Sequence, residues 1–100
     1  MDLLNRQQIH ILIVDDEESI IEFIKMGLEA EGYIVHTAFN GNEALEELKS
    51  IPRPDIIISD IMMDEMDGFE LLKNIKLDPE FNDIPFIFNK ISRFFFLLKY

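Results

Sequence analysis

A chain of 100 residues has room for one small core and excludes a multidomain architecture, since single domains usually run to roughly 100–150 residues. Its 48% hydrophobic and 29% charged composition excludes a disordered chain, and the absence of cysteine excludes disulfides and thiolate metal sites. A net charge of −11 argues against nucleic acid as a partner, and no apolar run approaches the ~18 residues that span a bilayer. Met1 to Arg6 carries no signal-peptide pattern, so the expectation is a cytoplasmic domain.

Ile9 to Val14 is a short, largely β-branched apolar run, the pattern of a strand buried on both faces. It ends at Asp15-Asp16-Glu17-Glu18. A helix is predicted from Glu17 to Ala30, with Ile20, Ile21, Phe23, Ile24 and Leu28 at helical spacing and Gly32 in the C-capping place. Tyr33 to Ala38 reads as a second strand, less apolar and so nearer an edge. Asn40-Gly41-Asn42 reads as a turn, followed by a short helix with Ala44, Leu45 and Leu48 inward. Pro52 and Pro54 break that helix. Asp55 to Ser59 is a third buried strand, ending at Asp60. After a loop from Ile61 to Asp67, Gly68 opens a helix with Leu71, Leu72 and Ile75 on its apolar side. Ile84 to Phe88 is a fourth strand, with Pro85 tolerated near its start.

Strands and helices therefore alternate, which implies a parallel sheet covered by helices on both faces, with its functional crevice beyond the carboxyl ends of the strands. If the first and third strands are neighbours about 4.8 Å apart, Asp15, Asp16 and Asp60 converge there. Carboxylates this close repel, and a hard divalent cation is the economical remedy. Magnesium suits the set because it accepts one or two carboxylates and leaves positions for phosphate oxygens. Asp60, alone at its strand end, is the best candidate nucleophile toward a phosphoryl group. Either acidic site taken singly is more simply read as a turn or helix cap. Asp64, Glu65, Asp67 and Glu70 are read as solvated and helix-end charges. They do not fit a calcium loop, because Met63 falls where its first acid belongs.

The stretches Ile11-Leu12-Ile13-Val14-Asp15-Asp16-Glu17, Val35-His36-Thr37-Ala38, Pro54 through Met63, and Met66-Asp67-Gly68-Phe69-Glu70-Leu71-Leu72 come in order, followed by Ile84-Pro85. Together they resemble the receiver domain of two-component response regulators. The resemblance implies an α/β, flavodoxin-like, doubly wound parallel sheet of order 2-1-3-4. It implies that Asp60 accepts a phosphoryl group from a sensor histidine kinase or phosphotransfer protein. Asp16 and Asp60 would bind Mg2+ directly, Asp15 mainly through water, and Met62 through its backbone carbonyl. His10 and His36 are assigned ordinary packing or surface roles. Enzymatic activity would extend at most to self-phosphorylation and slow hydrolysis of the aspartyl phosphate. A phosphohydrolase is a remote alternative, since Met62 stands where such enzymes place a second acid.

Two departures from the family pattern stand out. Asp64 occupies a loop position usually held by proline. The acids all lie before residue 90, whereas 90–100 carries Lys90, Arg93, Lys99 and a Phe94-Phe95-Phe96-Leu97-Leu98 run. The chain thus divides into a receiver-like part, 1–88, and an atypical apolar and basic tail, 89–100. The family's usual fifth strand and final helix are expected to be missing or replaced, as in a truncated or frame-altered product. Ser92 and Lys99 are the weak candidates for phosphoryl contacts that a hydroxyl and a lysine make in the family. An uncovered fourth strand and the apolar tail suggest a homodimer. The alternative function is a degenerate receiver that acts as an interaction or dimerisation module without phosphorylation.

Overall fold

The computed structural model describes residues 8–89. Four strands and three helices alternate: β1 (His10–Val14), α1 (Glu18–Ala30), β2 (Ile34–Ala38), α2 (Gly41–Ser50), β3 (Ile56–Ser59), α3 (Gly68–Leu77) and β4 (Phe86–Phe88). The strands form one parallel sheet of order β2-β1-β3-β4. This is the flavodoxin-like order that the resemblance implies, with β1 central and β2 at an edge among the described residues.

The register explains the burial. Ile11 pairs with Ile56 and Ile13 with Ile58, and all four lie in the apolar cluster packed under α1. Leu12 and Ile57 pair between them on the opposite face, in the larger cluster that α2 and α3 cover with Ala44, Leu48, Leu71 and Ile75. Alternate residues of an extended chain face opposite ways, so a run such as Ile11 to Val14 fills both cores at once.

Helix ends follow from local chemistry. At the end of α1, Gly32 has φ +92°, a conformation that costs glycine nothing. Its N–H donates to Glu29 O at 3.0 Å, and the Tyr33 N–H donates to Leu28 O at 3.2 Å, the paired bonds of a Schellman cap.

Several boundaries differ from the sequence reading. Asn40-Gly41-Asn42 is not a free turn: Asn40 Oδ1 accepts the Glu43 N–H at 2.8 Å, so Asn40 caps α2 and the next two residues begin it. Glu17 precedes α1 without a side-chain capping bond. Phe23 shares the helical spacing of the α1 core residues yet is 60% exposed, because it lies on the flank of the buried stripe. Strand β4 starts only at Phe86, after Pro85, which has no N–H to give the ladder. The proposed tail contacts at Ser92, Lys99 and Phe94 to Leu98 lie outside the described residues. Among the described residues, no helix is long and apolar enough to cross a membrane.

Candidate metal and phosphoryl site

Two backbone bonds set the site. The ladder continues one residue past the strands: Asp60 N–H donates to Val14 O at 2.8 Å, and Asp15 N–H donates to Ala38 O at 3.1 Å. Val14 pairs with Ser59, so Asp15 and Asp60 follow side by side at the sheet's carboxyl edge. One carboxylate oxygen from each of Asp15, Asp16 and Asp60 lies within 4.8 Å of the others. Asp15 is wholly buried, Asp60 is 8% exposed and Asp16 faces solvent.

The two oxygens of Asp15 have different surroundings. Oδ1 accepts the Glu17 N–H at 2.9 Å, which ties down the turn into α1. Oδ2 is buried and has no hydrogen-bond partner among the described residues. Burial, opposed by the Glu17 N–H and reinforced by Asp60 and Asp16, lifts the Asp15 carboxyl from 3.8 to about 7. Asp16 is also raised, first by burial and then by Asp60 and Asp64.

A buried carboxylate with one unpartnered oxygen, clustered with two further carboxylates, is an electrostatically costly arrangement. Hard oxygen donors within reach of one ion fit a divalent cation such as magnesium, which would offset the negative charge gathered around Asp15. The residues present therefore suit the ion that the pattern implies.

The loop from Ile61 to Asp67 returns tightly to Asp60. Ser59 Oγ donates to Asp60 O at 2.8 Å, and the Gly68 N–H donates to Ile61 O at 2.8 Å. Asp67 is the N-cap of α3, its Oδ1 accepting the Glu70 N–H at 2.8 Å, so it serves the helix rather than the acidic cluster. Glu65 has φ +67° and the Met66 N–H donates to Asp64 O at 2.8 Å, a γ-turn in its strained, positive-φ form. Met62 exposes 80% of its surface, consistent with a position whose side chain has no part in ligation.

The tight packing at Gly68 does not follow from the sequence pattern alone, although a glycine just past the site loop is the signal for a close approach. The positive φ of Glu65 leaves no sequence signal, because glutamate is not a residue that marks a left-handed turn. His10 and His36, assigned to separate strands, meet side chain to side chain.

Comparisons with known proteins agree with this fold. Residues 11–90 match the Response regulator receiver domain family. The chain is 44% identical over 66 residues to the alkaline phosphatase synthesis transcriptional regulatory protein PhoP of Bacillus subtilis, covering 66% of this chain and 27% of that protein. It is 47% identical over 79 residues to the response regulator SaeR of Staphylococcus epidermidis, covering 79% of this chain and 33% of SaeR. Among solved structures, the N-terminal domain of a response regulator receiver protein from Methanoculleus marisnigri superposes with a TM-score of 0.76 at 47% identity, covering 79% of this chain and 63% of that one.

The fold and site thus define a receiver domain of two-component signalling. This chain belongs to the response regulator receiver family. It spans about a third or less of the length of these curated relatives.

Proposed function

We propose that this chain is a phosphoacceptor receiver: Asp60 takes a phosphoryl group from a phosphohistidine on a sensor histidine kinase or phosphotransfer protein, with Mg2+ held by Asp15, Asp16 and Asp60. The observation that carries the reading is the convergence of three carboxylates, one with a buried oxygen that lacks a partner among the described residues. An Asp60 carboxylate oxygen attacks phosphorus, a P–O bond forms, the P–N bond to the donor breaks, and the imidazole leaves with its electron pair. Bound magnesium supplies charge neutralisation for the transferring oxygens. Asp15 and Asp16 keep the ion beside Asp60, and the Met62 carbonyl is assigned as a further ligand. Ser92 and Lys99 remain the candidates for phosphoryl contacts. The receiver part ends near residue 88, and the 89–100 tail is set apart from it by composition.

Incubation with a small phosphodonor such as acetyl phosphate and Mg2+ should add one phosphate to the intact mass, and Asp60→Asn should abolish the addition. An unmodified wild-type mass would defeat the reading.

A second reading rests on β4, the outermost strand of the sheet among the described residues, where the Ile87 side chain is 49% exposed. An apolar strand at a sheet edge invites pairing with another chain unless something covers it. In this reading, two copies associate through β4 and the Phe94–Leu98 run whether or not Asp60 is phosphorylated. Sedimentation that shows a dimer unchanged by phosphodonor supports it, and a monomer at all micromolar concentrations removes it.

A further inference from the structure

The two histidines of the described residues come from different strands and meet at one point. The β1–β2 register pairs Leu12 with His36 and His10 with Ile34, so His10 and His36 sit diagonally on the face that carries Leu12 and α2. Their nitrogens, His10 Nδ1 and His36 Nε2, are 3.0 Å apart. The ring centroids are 5.3 Å apart and the planes differ by 9°. That centroid separation is the nitrogen–nitrogen distance plus the two ring radii. The rings are therefore almost coplanar and meet head to head, with both nitrogens on the line between centres. This is the geometry of an N–H···N hydrogen bond rather than face stacking.

Such a bond needs a single proton between the facing nitrogens. A neutral pair satisfies this, and so does a pair of one imidazolium and one imidazole. When both rings are charged, N–H faces N–H and two like charges stand head to head, so the contact must open. We propose that His10 and His36 form one proton-sharing clasp that ties the edge strand β2 to β1 and releases when the pair takes up its second proton.

The surroundings bias this equilibrium. Burial, and then the His10 ring, hold His36 below the usual imidazole range, while Glu47 from α2 pulls the other way. Asp55, in the segment before β3, accepts the backbone N–H of His10 at 2.8 Å and so anchors the start of β1. Release of the clasp acts on a strand with consequences at its far end, because Ala38 O at the end of β2 accepts the N–H of Asp15. Edge strands open most easily, so β2 is where a lost cross-strand contact should be visible.

The test is amide hydrogen exchange of β2 between pH 7.5 and 5, corrected for intrinsic exchange, together with 15N imidazole shifts of the full chain. The expected result is a coupled titration of the two rings and at least a tenfold loss of protection at Ile34 to Ala38 as pH falls. In His36→Gln, an amide stands where Nε2 stood and can hydrogen-bond without titrating, so protection should vary less than twofold over the same range. His10→Asn does the same for Nδ1 and serves if the first variant folds poorly. Independent single-proton titrations of the two rings would overturn the proposal. An equal pH-dependent loss in wild type and His36→Gln would do so too.

Discussion

Gly68 sits against Asp60 so closely that a Cβ built on it would lie 2.2 Å from the Asp60 carbonyl oxygen, and 3.0 Å from both Ile61 Cα and the Phe88 ring. Two of these neighbours are backbone and cannot swing aside. The close approach lets α3 begin directly beneath the residue whose carboxylate completes the acidic cluster. Gly68→Ala should therefore force the α3 N-terminus away from Asp60, at a cost of about 3 kcal/mol, the upper part of the range for overpacking. Urea denaturation gives the loss of stability, and Mg2+ titration of the folded fraction should show weakened binding. The contrast is Gly41→Ala, where the three atoms nearest an added Cβ, at 2.7–2.8 Å, all belong to the Met66 side chain, its Cβ among them. That variant also requires a shift, but it should lose less stability than Gly68→Ala because none of these three atoms is backbone.

The acidic cluster makes stability depend on pH in an unusual direction. With no cation bound, the fold holds the Asp15 carboxyl at about 7, against an ordinary 3.8. The folded chain then keeps a proton that the unfolded chain releases between these two values. Stability from this group is full below the lower value and declines as pH rises toward the upper one. Three units correspond to at most about 4 kcal/mol. In chelator, wild type should lose stability relative to Asp15→Asn between pH 4.5 and 7.5. At pH 7.5, added Mg2+ should raise the urea midpoint of wild type by more than that of the variant. Equal pH slopes for the two proteins would contradict the assignment.

Much of this fold is legible in the sequence because strands buried on both faces leave an unmistakable trace. Ile11 to Val14 and Ile56 to Ser59 could hardly be anything else, and each ends in an aspartate that extends its ladder by one residue. The acidic site was legible for the same reason, since it needs only two strand ends and their adjacency. Features set by the third dimension were not. Phe23 obeys helical spacing yet lies outside the buried stripe, and only the packing angle of α1 decides that. Asn40 carries a turn signal and a capping signal at once, and the hydrogen bond to Glu43 resolves it as a cap. The meeting of His10 and His36 depends on which strands lie side by side and on how two diagonal side chains meet across them, which neither strand's own pattern shows.

Glu65 is a second place where the loop carries a cost. Its φ of +67° crowds a side chain that glycine lacks. A left-handed conformation costs a non-glycine residue roughly 1–2 kcal/mol, part of which is returned when glycine raises the entropy of the unfolded chain. Glu65→Gly also gives up the 3.3 Å contact from Asn42 Nδ2, which is exposed and weak. The variant should be more stable by about 0.5 kcal/mol in thermal or urea unfolding. A loss of 1 kcal/mol or more would show that the γ-turn is not strained.

Asp64 stands where the family usually has proline, and its charge reaches the cluster: it is among the groups that raise Asp16. A fourth negative charge near the three clustered carboxylates favours cation capture and opposes an anionic phosphoryl donor. Both Asp16 and Asp64 face solvent, so water screens their interaction, and the effect belongs to the range of exposed pairs. Asp64→Asn should weaken Mg2+ binding by roughly two- to fivefold, the equivalent of 0.4–1 kcal/mol. It should also speed phosphorylation by acetyl phosphate when Mg2+ is saturating. Because the Debye length shortens from about 10 Å at 0.1 M salt to 3 Å at 1 M, both effects should shrink at high ionic strength. Calorimetric Mg2+ titrations at the two salt concentrations separate this long-range charge effect from a change in loop shape, which salt would leave in place.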